Sequence, residues 1–276
     1  MKNIAFVIVT IRDFEVAKAC IESIKDNVGN LSYDIYVLFN GIDIPECIPD
    51  DVISMKLNKR MYPSGARKHM EMFLSDKPYK YIFMLDDDIE AMENGPLRLF
   101  RFMENNDDVG MCSGTTTEHG DGRVRSGCKL LVSKDKMNKK RWNKNDERKF
   151  RDTPFVVGGY YIIRKSIIES GVLSDDNISF GFWDIDLPIT VAKSGYRVGV
   201  FVRAKSLHRR MVNKKHNSEN IRENNWRTRS NYRNSAIYFY NKWGLLPSDD
   251  FKRFKKSINF GKITDTAKNI ESYFNI

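Results

Sequence analysis

The sequence has no paired cysteines, no long apolar run, no internal repeat and no Pro- or Ser-rich linker, and each absence excludes something. The four cysteines, Cys20, Cys47, Cys112 and Cys128, lie far apart, so neither a zinc knuckle nor a disulfide framework is expected. The longest apolar stretch near the start, residues 4–9, is broken by Thr10, Arg12 and Asp13. It is too short for a membrane span and poor as a signal-peptide core, so the expected location is the cytoplasm, at most peripheral to a membrane. Without repeat or linker, one compact unit is expected rather than separable domains.

What is present is enough to build a core: 276 residues with 41% hydrophobic content exclude a disordered chain. The net charge of +10 is unevenly spread, because residues 197–276 hold 18 Lys and Arg against 6 Asp and Glu. Such an end either faces something anionic (phosphates, an acidic lipid surface, nucleic acid) or is a solvated helical face. A second basic stretch, residues 129–151, carries Lys134, Lys136, Lys139, Lys140, Arg141, Lys144, Arg148 and Lys149, and reads as a mobile insert or lid.

Over the first hundred residues, short β-rich runs alternate with amphipathic stretches, the pattern of an α/β fold with a mostly parallel sheet flanked by helices. Strands are expected over residues 4–10, 33–39, 52–57 and 81–85. One helix follows Asp13; another spans residues 64–74 with Ala66, Met70, Phe73 and Leu74 on its apolar face. The fourth strand runs into Asp86, Asp87 and Asp88, and ligands in open α/β sheets collect at such strand ends. Further on, a strand over residues 155–163 is interrupted at Gly158-Gly159, where a close backbone approach is expected. A short helix over residues 165–170 stops at Gly171, and Pro188 opens another over residues 188–194. A strand near residues 198–202 delivers His208 shortly after it, and from about residue 219 the chain reads as helical and basic.

Three adjacent carboxylates raise one another's pKa, and a divalent cation relieves that. In an extended segment Asp86 and Asp88 point one way and Asp87 the other, so two can share an ion while the third reaches a ribose or base. Oxygen ligands that leave positions open for water and phosphate suit Mg²⁺ or Mn²⁺. A solvated acidic turn is the bland alternative.

Taken in order, the motifs resemble those of the inverting GT-A glycosyltransferases usually called family 2, over roughly residues 4–244. They are Val-Ile-Val-Thr with Arg12, Asn40-Gly41, Ser64-Gly65-Ala66-Arg67 and the Asp-x-Asp run at 86–88. Gly158-Gly159-Tyr160, Trp183-Asp184-Ile185-Asp186-Leu187, Gly195-Tyr196-Arg197, His208 and Arg233-Asn234 follow. The resemblance implies a GT-A, Rossmann-like catalytic domain over residues 1–215. Residues 1–115 would be its nucleotide-sugar half and 116–215 its acceptor half, with a basic helical extension over 216–276. It implies that Asp86, Asp88 and His208 hold the metal, Mn²⁺ or Mg²⁺, bridging the donor diphosphate. Thr10, Arg12, Asn40 and Arg67 match nucleotide-binding positions, with Asp87 toward the sugar or ribose.

Asp184 matches the general base, and Asp186 either orients its neighbourhood, caps the following helix or exchanges roles with it. Where the family commonly has Glu, this chain has Trp183, which either stacks on a sugar or packs. The tail arginines Arg222, Arg227 and Arg229 suit the donor pyrophosphate or an anionic acceptor. The implied activity is transfer of a hexose or deoxyhexose from a nucleoside diphosphate sugar to a hydroxyl of a glycan or lipid-linked glycan, at an anionic membrane surface if at any. Transfer to nucleic acid through the basic tail and insert is one alternative, and a catalytically silent sugar-binding scaffold of the same fold is another.

Overall fold

A computed structural model describes residues 2–125, 127–133, 136–140, 142, 147–209, 229–247 and 270. The first strand, β1 (Ile4–Thr10), alternates between two cores: Ala5 and Val7 enter one, Ile4, Phe6 and Ile8 the other. A strand buried on both faces belongs in the middle of a helix-covered parallel sheet. After α1 (Phe14–Asn27), β2 (Tyr33–Asn40), β3 (Val52–Leu57), α2 (Pro63–Ser75) and β4 (Tyr81–Asp86) complete a parallel ladder in the order β3-β2-β1-β4.

The chain then turns through Asp87-Asp88 into β5 (Ile89–Met92), α3 (Gly95–Glu104), β6 (Val109–Glu118) and β7 (Val124–Arg125). A hairpin of β8 (Lys129–Ser133) and β9 (Lys136–Lys140) precedes β10 (Phe150–Asp152), β11 (Tyr160–Arg164), α4 (Lys165–Glu169), α5 (Trp183–Lys193) and β12 (Arg197–His208). Strand β11 runs antiparallel between β4 and β6, and β12 lies parallel to β6 and antiparallel to β5 and β10. One mixed sheet therefore crosses both halves of the chain. Helices α1 and α3 cover one face; α2, α4, α5 and α6 (Arg229–Trp243) cover the other. The last strand, β13 (Leu246–Pro247), joins the hairpin beside β9.

Several elements depart from the sequence reading. Only Tyr160–Arg164 of the 155–163 run is a strand, because the chain turns at Gly158-Gly159. Helix α5 begins at Trp183, so Pro188 sits in its interior. A proline there has no N–H to give to the Asp184 carbonyl four residues back. The stretch expected as a mobile insert or lid, residues 129–151, holds regular structure where it is described: the hairpin is pinned by Leu130 and Met137, both fully buried, and β10 joins the main sheet. Lys134, Arg141 and Lys144 lie outside the described residues, as do Arg222, Arg227 and most of the basic tail. Among the described residues no helix is long and apolar enough to cross a membrane.

Asp186 does not cap α5. It is 1% exposed and accepts from Trp243 Nε1 at 2.7 Å and Lys242 Nζ at 2.9 Å, tying α6 to α5. Lys242 also reaches Asp175 at 2.8 Å, so removing Asp186 strands the buried indole N–H more than the ammonium. Asp186→Ala should therefore cost about 2 kcal/mol of folding stability. Urea unfolding measures this, and an unchanged midpoint would show that the anchor carries no weight.

Candidate functional site

Three parallel strands stop together: register sets Val9 opposite Asp86 and Thr10 opposite Phe39, so Thr10, Asn40 and Asp86 gather at one edge of the sheet. Strand β5 pairs with the end of β12, with Ile89 opposite His208, and the Arg209 N–H donates to the Asp88 carbonyl at 2.8 Å. That short ladder brings His208, the last residue of β12, to the aspartates.

The simple alternation expected for the aspartates fails because the strand ends at Asp86 and the chain turns at the next two residues. Asp86 pairs with Arg67, reaching up from α2. Asp87 and Asp88 both face Arg12, whose Nη1 lies 3.3 Å from Asp87 Oδ1 and 2.8 Å from Asp88 Oδ2. Thr10 is fully buried and donates its hydroxyl to Asp87 at 2.8 Å. Asn40 bridges to the backbone of Met61 through both ends of its amide, at 2.9 and 2.7 Å, and so holds the loop before α2. Burial pushes the Asp87 carboxyl up to about 7, with the two neighbouring aspartates adding to the effect against Arg12 and Thr10. Burial also pushes Asp88 upward, yet the bonds from His208 and Arg12 hold it below the ordinary carboxylate range.

His208 lies between two carboxylates, Nε2 at 3.4 Å from Asp88 Oδ1 and Nδ1 at 3.0 Å from Glu118 Oε2. The bond to Asp88 is the main reason its pKa is raised, against desolvation. Glu118 was not legible in the sequence. It ends β6, and its place beside His208 follows from the β6–β12 register.

Helix α5 supplies the facing acid. Asp184 stands in its first turn, half-buried, and burial raises its pKa against the opposing charges of Lys139, Arg67 and Arg125. Asp86 and Asp184 both pack against the turn between β10 and β11. A methyl group on Gly159 would lie 2.5 Å from Asp86 Oδ2, and one on Gly158 would lie 2.5 Å from the Trp183 ring and 2.7 Å from Asp184 Cβ. The Arg67 guanidinium sits 3.8 Å from the Trp183 ring centroid, on a half-buried side chain that lines the cleft. Gly159→Ala should therefore displace the Asp86 carboxylate and weaken binding of any divalent ion that the aspartates hold. The strain should also cost about 1–3 kcal/mol of stability. Calorimetry and thermal unfolding read these, and wild-type values in both would refute the tight packing.

Two cavities adjoin here. A smaller one, about 260 Å³, is lined by Arg12, Asn40, Arg67 and Asp86, Asp87 and Asp88; a larger one, about 880 Å³, is lined by Gly158, Gly159 and Asp184. Asp86, Trp183 and His208 line both.

The donor set fits a divalent ion shared with a ligand. Two ligands of one ion, each bonded at about 2.1 Å, sit roughly 3 Å apart, close to the spacing of Asp88 Oδ1 and His208 Nε2. Glu118 on the other ring nitrogen gives the carboxylate–histidine arrangement that orients metal-binding imidazoles. Among the described residues, no three His, Cys, Asp or Glu side chains converge to enclose an ion, and Asp86 is turned to Arg67. A site with so few protein ligands leaves positions for phosphate oxygens and water, as suits Mg²⁺ and Mn²⁺.

No protein-family model matches the chain, and no curated protein matches it in sequence. Among solved structures it is similar to GalNAc-T7, in a crystal structure with UDP, GalNAc and Mn²⁺, at 11% identity and a TM-score of 0.67. The alignment covers 98% of this chain and 55% of the other. The fold is thus an α/β fold of the GT-A, Rossmann-like type, a mixed sheet flanked by helices.

Proposed function

We propose that this chain is a metal-dependent, inverting glycosyltransferase that moves a hexose or deoxyhexose from a nucleoside diphosphate sugar to a hydroxyl of a glycan or lipid-linked glycan. The observation that carries this reading is the pair of adjoining cavities, with Asp86 and His208 lining both, Asp88 lining the smaller one and Asp184 the larger. The UDP and Mn²⁺ in the GalNAc-T7 structure support the donor class and the metal.

In this reading the smaller cavity takes the nucleoside diphosphate. Asp88 and His208 hold the cation, with Asp86 on the same wall, and Glu118 fixes the imidazole. Mn²⁺ or Mg²⁺, when bound, supplies charge that stabilises the departing diphosphate. Arg12 and Arg67 add positive charge, Thr10 and Asn40 shape the pocket wall, and Asp87 stands toward the sugar or ribose. Asp184 takes the proton from the acceptor hydroxyl as that oxygen bonds to the anomeric carbon. The bond from that carbon to the diphosphate breaks, and its electron pair leaves with the nucleotide.

A thermal-shift screen of nucleotide sugars tests the donor, since a bound ligand raises the melting temperature with its affinity and concentration. At least one should stabilise the protein with Mn²⁺ and not with chelator. The product's anomeric proton, followed by NMR, should show inversion. Retention would remove Asp184 from the role of base to an attacking hydroxyl, and turnover indifferent to chelator would end the metal-dependent mechanism.

A further inference from the structure

The larger cavity is electrically lopsided. Asp86 and Asp184 line one part of it and Glu118, paired with Arg125, another, but the wall contributed by the β8–β9 hairpin and β10 gives the cavity Lys139 and Arg151 and no carboxylate among the described residues. Lys139 is exposed, lies 4.8 Å from the Phe155 ring and makes no ion pair among the described residues. Trp142 stands in the same wall. Lys129, Arg148 and Arg151 approach its ring at 5.3, 4.8 and 5.6 Å, and its buried Nε1 has no hydrogen-bond partner among the described residues.

A buried N–H without an acceptor is uncommon in a folded protein and asks for one from outside. Here the missing acceptor lies among cations, so the oxygen that fits it belongs to an anion. A wall of one sign of charge also draws ligands of the other sign.

We infer that this wall binds a carboxylate or phosphate on the acceptor saccharide, next to the sugar whose hydroxyl meets Asp184. The word acceptor rests on the glycosyltransferase reading above; the anion site rests on the wall alone. At about 880 Å³ the cavity is a small-ligand pocket, in the range of roughly 300–1,000 Å³, which favours a saccharide over a nucleic acid duplex.

The test is calorimetry on the full chain, at two salt concentrations, with and without UDP and Mn²⁺. The probes are a glucuronate-containing tetrasaccharide, N-acetylglucosamine 1-phosphate, neutral cellotetraose and a single-stranded oligonucleotide. One of the first two should bind about tenfold more tightly than cellotetraose, more weakly at high salt, and the better of them identifies carboxylate or phosphate. Trp142→Phe, which removes only the N–H, and Lys139→Ala should each weaken that probe about fivefold or more and leave UDP–Mn²⁺ affinity unchanged. Equal binding of cellotetraose, tighter binding of the oligonucleotide, or indifference to both substitutions would overturn the anion site. Absence of UDP binding with Mn²⁺ would instead overturn the transferase reading and leave the charge preference to stand or fall on the nucleotide-free titrations.

Discussion

Replacing Asp184 by Asn should reduce sugar transfer by about 10²–10⁴-fold, the usual contribution of a general base, while UDP–Mn²⁺ affinity changes by no more than about twofold. Asn keeps the size and much of the hydrogen bonding of Asp but cannot take a proton at neutral pH. Asp184 lines the larger cavity and not the smaller one that contains Asp88 and Arg12, so the nucleotide should not sense the change.

The wild-type pH profile gives an independent readout. Only the ionised carboxylate acts as base, and burial raises the Asp184 pKa from its ordinary value. Activity should therefore fall, as pH is lowered, at a pH above the ordinary carboxylate range, and the residual activity of Asp184→Asn should lack that limb. Steady-state rates across pH, paired with calorimetry of UDP binding, provide both measurements. If Asp184→Asn loses nucleotide affinity in proportion to its rate, Asp184 is a binding residue.

His208→Ala should abolish Mn²⁺-dependent binding of UDP, and Glu118→Gln should weaken it by about 10–100-fold, the usual effect of changing a group that orients a metal-binding histidine. The geometry explains the order. Nε2 faces Asp88 at 3.4 Å, while Glu118 meets the other ring nitrogen, Nδ1, at 3.0 Å. The ion competes with a proton for the imidazole, and both carboxylates raise the His208 pKa. Metal affinity should thus rise with pH up to the raised His208 value and level off above it, since only the neutral ring binds a metal. In Glu118→Gln that midpoint should move down. Electron paramagnetic resonance of free Mn²⁺ during titration reads all three effects, and wild-type affinity in His208→Ala would remove the histidine from the site.

Much of the fold was legible because three of the four strands of the parallel half, β1, β2 and β4, are buried on both faces. Residues 4–10, 33–39, 52–57 and 81–85 read as apolar runs and agree with β1 to β4 within a residue or so. The start of α5 was hidden because Pro188 suggested a first turn and residues 183–187 mix aromatics with acids. The polar face of α2 was hidden for a related reason. Apolar periodicity selects Phe73, which stays 36% exposed, whereas Arg67 and Glu71 are buried, the first paired with Asp86 and the second accepting from Ser174.

At the site, the strand-end aspartates, Asp184 and His208 were visible as acids and a histidine at suggestive places. Which of them touch depends on the turn after Asp86, on the β5–β12 pairing and on the Gly158-Gly159 contact, none of which has a local signature. Glu118, Lys139 and Trp142 became visible only once β6, the hairpin and β12 stood side by side.

Crystals grown with UDP and Mn²⁺, and an anomalous difference map recorded at the manganese edge, give the most direct check on the whole reading. One peak is expected beside Asp88 and His208, in contact with the UDP phosphates and on the same cleft as Asp184. Manganese bound elsewhere with UDP, or UDP seated without it, would show that these residues do not form the metal-dependent donor site.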